Sequence, residues 1–186
     1  FIPNKEDVKN IVEDETYVPP PSLNPINKAT KEETITVSGI ALPGLSVAIY
    51  LNGQKIDEVQ ANETGEFEVE IKLSEGDNII KAKGISGQNE SEFSDSVTVG
   101  YKKEGPKLEI EQPKEGETIK EPSQYDVKGK TDPDTTVTVN DFQAIISGDK
   151  FSYILTLVNG ENNIIIVATD AAGNKTEKSV KFNYSP

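Results

Sequence analysis

One stretch of this sequence occurs twice, and that repetition constrains the fold more than anything else in the chain. Leu157–Asn174 reads LVNGENNIIIVATDAAGN, and Leu73–Asn89 reads LSEGDNIIKAKGISGQN. Leu157, Gly160, Asn162, Ile164, Ile166 and Ala168 each lie 84 positions after Leu73, Gly76, Asn78, Ile80, Ala82 and Gly84. In both copies a strand ends, the chain turns at a glycine, and apolar residues then alternate with a period of two. That pattern predicts an antiparallel hairpin with one buried face. A repeat of this length in 186 residues also predicts two small domains rather than one large one.

The strands on either side repeat as well. Val127, Gly129, Pro133, Val137 and Val139 follow Val37, Gly39, Pro43, Val47 and Ile49 at a spacing of 90. The spacing falls to 84 by Phe151, the counterpart of Phe67, so the second copy is shorter between its third and fifth strands. Asn52-Gly53 between Ser46–Leu51 and Lys55–Gln60 is a strong two-residue hairpin signal. Glu66–Leu73 alternates throughout, with Phe67, Val69, Ile71 and Leu73 on one side. The predicted first core adds Ile35, Val37, Val47, Ile49, Ile80 and Ala82. The predicted second core is Val127, Val137, Val139, Phe151, Tyr153, Leu155, Leu157, Ile164, Ile166 and Ala168, with Val180, Phe182 and Tyr184 closing it.

These patterns predict an all-β chain: two tandem β-sandwiches of about seven strands each, preceded by an extended Pro-rich tail. The expected boundaries are a tether over 1–22, sandwich one over 23–101, a hinge over 102–107 and sandwich two over 108–186. Within the tether, Val8, Ile11 and Val12 share one helical turn's spacing, and Tyr17–Pro21 favours a polyproline conformation.

Composition narrows function by exclusion. The chain has no His and no Cys, so the commonest general base, the commonest zinc ligand and all thiol chemistry are missing. Its formal charge of −13 repels polyanions, which argues against nucleic acid and against anionic membrane surfaces. No apolar run reaches membrane-spanning length. An enzyme is therefore not expected. The chain starts Phe-Ile-Pro, and a signal or anchor segment upstream of Phe1 is expected.

VSGIALPG and TGEFEVEIKLSEGDNII in the first copy resemble bacterial immunoglobulin-like (Big-type) surface domains, as do VKGKTDPDTTVTVN and KFSYILTLVNGENNIIIVATDAAGN in the second. The resemblance covers roughly Leu23–Tyr184. It implies an extracellular or cell-envelope structural and interaction module, a spacer or adhesion stalk whose partner is a protein or a cell-surface glycan. The alternative is an accessory polysaccharide-binding module of a larger carbohydrate-active enzyme. For that, Tyr50, Phe93 and Phe142 are the aromatic residues least committed to inward strand positions.

One metal site is conceivable. In such a sandwich the loops carrying Asp132 and Asp134, and Asp170 and Asn174, lie at one end. Three carboxylates and an amide there would supply oxygens for calcium. The other reading of the same residues is that Asp and Asn brace their own turns. The first copy, with Leu42, Gly44, Ser86 and Asn89 at these places, is not expected to bind metal.

Overall fold

The computed structural model describes residues 17–120 and 122–186. The expected helical spacing of Val8, Ile11 and Val12 lies outside these residues, as does the tether up to residue 16.

The first nine strands are β1 (Ser22–Leu23), β2 (Ala29–Thr30), β3 (Thr34–Ile40), β4 (Ser46–Leu51), β5 (Gln54–Gln60), β6 (Glu66–Lys72), β7 (Gly76–Ser86), β8 (Asn89–Glu90) and β9 (Val97–Tyr101). They close into one sheet of order β1-β3-β6 and a second of order β2-β9-β7-β4-β5, with β8 also on β7. Val37, Val47, Ile49, Ile80, Ala82 and Val99 are fully buried between them. The Asn52-Gly53 turn forms as the sequence predicts. Both residues take positive φ, and Leu51 pairs with Gln54 across it.

The second sandwich comprises β10 (Leu108–Gln112), β11 (Thr118–Ile119), β12 (Gln124–Thr131), β13 (Thr136–Val139), β14 (Phe142–Gln143), β15 (Ile145–Ser147), β16 (Lys150–Thr156), β17 (Gly160–Thr169) and β18 (Lys175–Tyr184). Its sheets run β10-β12-β16-β15 and β11-β18-β17-β13-β14. Its core draws only on residues between Leu108 and Tyr184. Proximity alone groups Asn27–Thr34, Lys72–Asn78 and Val99–Pro186 into one compact unit. Hydrogen bonding instead joins β2, β7 and β9 to β4 and β5. Directional pairing specifies a fold better than distance does, so the sheets define each sandwich.

The repeated stretch is not the hairpin that its alternation suggests. β6 and β7 belong to different sheets, as do β16 and β17. The Gly turn is an arch carrying the chain from one sheet to the other, and a buried asparagine closes it. Asn78 accepts the Ser74 N–H (2.9 Å) and donates to the carbonyls of Ser74 (2.7 Å) and Gly76 (2.9 Å). Asn162 does the same with Val158 and Gly160, at 3.0, 2.8 and 3.0 Å. An arch buries its backbone away from any strand partner, and the side-chain amide supplies the missing donors and acceptors.

Each sandwich also begins by switching sheets. β1 pairs antiparallel with β3 while β2 pairs parallel with β9. β10 and β11 repeat this on β12 and β18. Pro25 and Pro113 stand at the two switches, where a residue without N–H cannot extend a ladder.

A second shared device couples a glycine to an aromatic ring. A Cβ on Gly39 would sit 2.5 Å from Phe67 Cζ, and one on Gly129 would sit 2.5 Å from Phe151 Cε1. Both glycines leave room for the ring that fills the core.

Three expected core residues and the end of the tether differ from the prediction. Ile35, Tyr153 and Leu155 are half-buried. For Tyr153 and Leu155 the reason is the short β15, which covers only Lys150–Ser152 of β16 and leaves the rest of that strand at the sheet edge. Residues 17–21 are not a free tether. Val18 and Pro21 are buried, and a Cβ on Gly84 would sit 3.1 Å from Val18 Cγ1.

Candidate functional site

In the loops considered for calcium, Asp170 and Asp132 spend carboxylate oxygens on nearby donors. Asp170 Oδ1 accepts the N–H groups of Ala172 and Asn174, both at 2.9 Å, and Oδ2 accepts Asn174 Nδ2 at 3.2 Å. The same amide donates to the Lys102 carbonyl at 2.9 Å. Asp132 Oδ2 accepts the Lys107 N–H at 2.9 Å. Asp134 is exposed at positive φ. Among the described residues, no group of three or more acidic, His or Cys side chains is placed to hold a metal ion. The geometry is that of braced turns, in which a short acid satisfies nearby backbone donors.

The aromatic candidates divide. Phe142, from the hairpin that turns at Asn140-Asp141, stacks on Tyr153 at 6.4 Å in the second sandwich and is 64% exposed. Tyr50 and Phe93 come together in the first. Along β4, Val47, Ile49 and Leu51 face the core, so Tyr50 faces outward. It meets Phe93 edge to face, with centroids 5.0 Å apart. On β7 the outward residues are Ile79, Lys81 and Lys83. The two ammonium groups lie 5.5 and 4.7 Å from the Phe93 centroid, within cation–π range.

A local device puts Phe93 there. Ser91 pairs with Gly84 and Ser94 with Ala82 through backbone bonds of 2.9 and 2.8 Å, so Glu92 and Phe93 together oppose the single residue Lys83. This is a β-bulge, which re-aims a side chain at the expense of ladder bonds. The serines make up the loss. Ser91 Oγ accepts the Gly84 N–H at 2.8 Å, and Ser94 Oγ accepts the Ala82 N–H at 2.9 Å. Sequence reasoning left Phe93 uncommitted and missed the bulge. Its one signal is the pair of small hydroxyl residues flanking an aromatic in Ser91-Glu-Phe-Ser94.

Tyr50, Asn52, Gly53, Ile79, Lys81 and Phe93 line a shallow depression of about 430 Å³ on this outer face. Beside it, the exposed pair Lys55–Glu58 meets at 2.6 Å. The Lys55 hydrogen bond, and after it that from Ser46, holds the Glu58 carboxyl below its usual range.

Four sheets, two arches and Ig-type sheet switching define the class: a tandem of immunoglobulin- and fibronectin-III-like β-sandwiches. Comparison with known proteins agrees. The family model described as glucodextranase, domain B, matches residues 106–184, the second sandwich. Bacillopeptidase F of Bacillus subtilis (strain 168) is 34% identical over 175 residues, spanning 92% of this chain and 12% of that protein. The fibronectin(III)-like modules of Clostridium thermocellum CbhA superpose with a TM-score of 0.52 at 17% identity, covering 89% of this chain and 94% of that one. That last likeness bears on fold alone.

Proposed function

We propose that this tandem is a non-catalytic spacer and scaffold module within a larger extracellular bacterial protein. The carrying observation is one of proportion: its similarity to Bacillopeptidase F takes in 92% of this chain but only 12% of that protein. A segment so related serves a longer chain, and the likeness to domain B of glucodextranase supports a place beside catalytic domains and an extracellular setting. The residues fit this role. Asp132 and Asp170 of the loops accept backbone N–H groups, and a chain without His or Cys lacks the commonest general base and the thiol nucleophile. The narrower Big-type surface-stalk reading belongs to the same proposal.

The test is a replacement in the full-length protein. Exchanging residues 17–186 for an unrelated pair of β-sandwiches preserves the activity of the flanking domains, whereas deletion lowers it. Loss of activity on exchange would overturn the spacer role. So would hydrolysis of a peptide, ester or glycoside by the isolated chain, if one carboxylate substitution abolished it.

A further inference from the structure

We propose that the outer face of the first sandwich binds a uronic-acid unit of an acidic polysaccharide. In this arrangement the apolar side of the sugar ring lies against Tyr50, Ile79 and the exposed part of Phe93, and its carboxylate meets Lys81. The inference goes beyond the spacer reading and does not depend on it.

Three observations carry it. The first is the bulge. In the second sandwich β17 and β18 pair without interruption from Gly160↔Tyr184 to Thr169↔Lys175. The first sandwich breaks the same ladder, repairs it with two serine hydroxyls, and thereby holds a large apolar ring in solvent. Phe93 is 42% exposed and Ile79 47%, and with Tyr50 they form an apolar patch facing solvent.

The second is charge. In a chain of net −13, two ammonium groups stand over this ring. Lys83 is shared with Glu90 at 3.1 Å, while Lys81 makes no ion pair among the described residues. The net charge opposes an anion at long range, but at physiological salt fields are screened beyond about 8 Å. Within the depression the lysine that lines it, Lys81, decides.

The third is the position of the face in the sheet. β4 lies between β5 and β7, and β7 lies between β4 and β9. Their backbone groups are taken, so neither strand offers an extended peptide an edge on this face, the free edge of the sheet being β5. Recognition has to come from side chains alone, and the side chains present are an aromatic wedge, an aliphatic floor and an ammonium group. These match a ring with one apolar face and one carboxylate.

The experiment is an NMR titration of the full chain with trigalacturonate in EDTA-containing buffer, which removes metal bridging. The controls are a neutral cellotriose and a glutamate hexapeptide. Saturable shifts are expected at Tyr50, Ile79, Lys81 and Phe93 with the uronate only, at millimolar affinity. Lys81→Gln and Phe93→Ala are each expected to weaken binding about tenfold, while Phe93→Tyr retains it. Thermal melts of each variant confirm the fold, and Lys81→Gln tests the site independently should Phe93→Ala melt early. The absence of saturable shifts with the uronate, or wild-type affinity in Lys81→Gln, overturns the proposal. Equal binding of cellotriose removes the carboxylate's role, and equal binding of the peptide replaces the glycan with a protein partner; either result overturns it too. None of these results touches the spacer reading.

Discussion

Asn78 and Asn162 close the same arch with the same three bonds, yet ten residues further on the two sandwiches part ways. In the second, β17 passes through a short turn braced by Asp170 into a long unbroken partner strand. In the first, a tighter Ser86–Asn89 turn leads to a two-residue strand, a bulge and a fresh start at Val97. A similar divergence follows the Asn-containing hairpin turns. β5 stays beside β4 for its whole length. In the second copy the chain leaves β13 after Gln143 and crosses at the buried Ala144 to pair with β16. The two copies therefore share what closes the core and differ in what decorates the sheets. Core closure has few solutions, because the arch, the glycine under the ring and the inward rows must all fit at once. Edges and outer faces can be satisfied by backbone or by side chain, which leaves them free to acquire separate roles.

The comparison breaks most visibly at the rings. Phe67→Ala and Phe151→Ala should each cost about 3–5 kcal/mol, because each removes a buried ring and leaves a cavity over a glycine. Segment-resolved urea unfolding should show similar losses in each sandwich. A loss confined to one copy would mean that the cores are not equivalent.

The arches should rank next. Asn78→Ala and Asn162→Ala each strand buried backbone groups and should cost about 2–3 kcal/mol by thermal melting. Asn78, which reaches the Val99 carbonyl as well at 3.5 Å, should be the more sensitive.

How far the sequence announces all this depends on the kind of contact. The inward rows of β4, β6 and β7 and the Asn52-Gly53 turn follow from period-two alternation and φ preference, which are local. The arch is misread as a hairpin because alternation around a Gly turn looks the same whether the second strand returns beside the first or crosses to another sheet. The sheet switches at Pro25 and Pro113 depend on partners about 70 residues away, which no local window contains. Tyr50, Phe93 and Phe142 stand out by elimination. That Tyr50 meets Phe93 and not Phe142 depends on a bulge whose serines carry no periodic signature.

The turns sharpen the contrast at lower energy. Asp170→Ala removes an acceptor of two backbone N–H bonds and should cost about 1–3 kcal/mol. Ser86→Ala, at the corresponding place in the first copy, is exposed and should change stability by less than about 0.5 kcal/mol. EDTA should leave the melting temperature of the wild-type chain unchanged. A drop would restore calcium to the Asp132, Asp134, Asp170 and Asn174 loops.

The smallest effect is electrostatic and belongs to the first sandwich alone. Glu58 is held below its ordinary value of 4.5, chiefly by its hydrogen bond with Lys55. A depressed folded-state value favours the native state above the unfolded pKa, and that contribution is lost as pH falls through the folded one. Glu58→Gln should therefore lower stability slightly across the neutral range, a difference that fades as pH falls below 4.5, and the effect should be small, as suits an exposed pair.

Each copy closing a core of its own is the claim on which the rest stands. Amide hydrogen exchange on the Phe151→Ala chain tests it most directly. The predicted result is lost protection along β12, β16 and β17, with wild-type protection retained along β3, β4, β6 and β7. Parallel loss of protection in both sets of strands would contradict it.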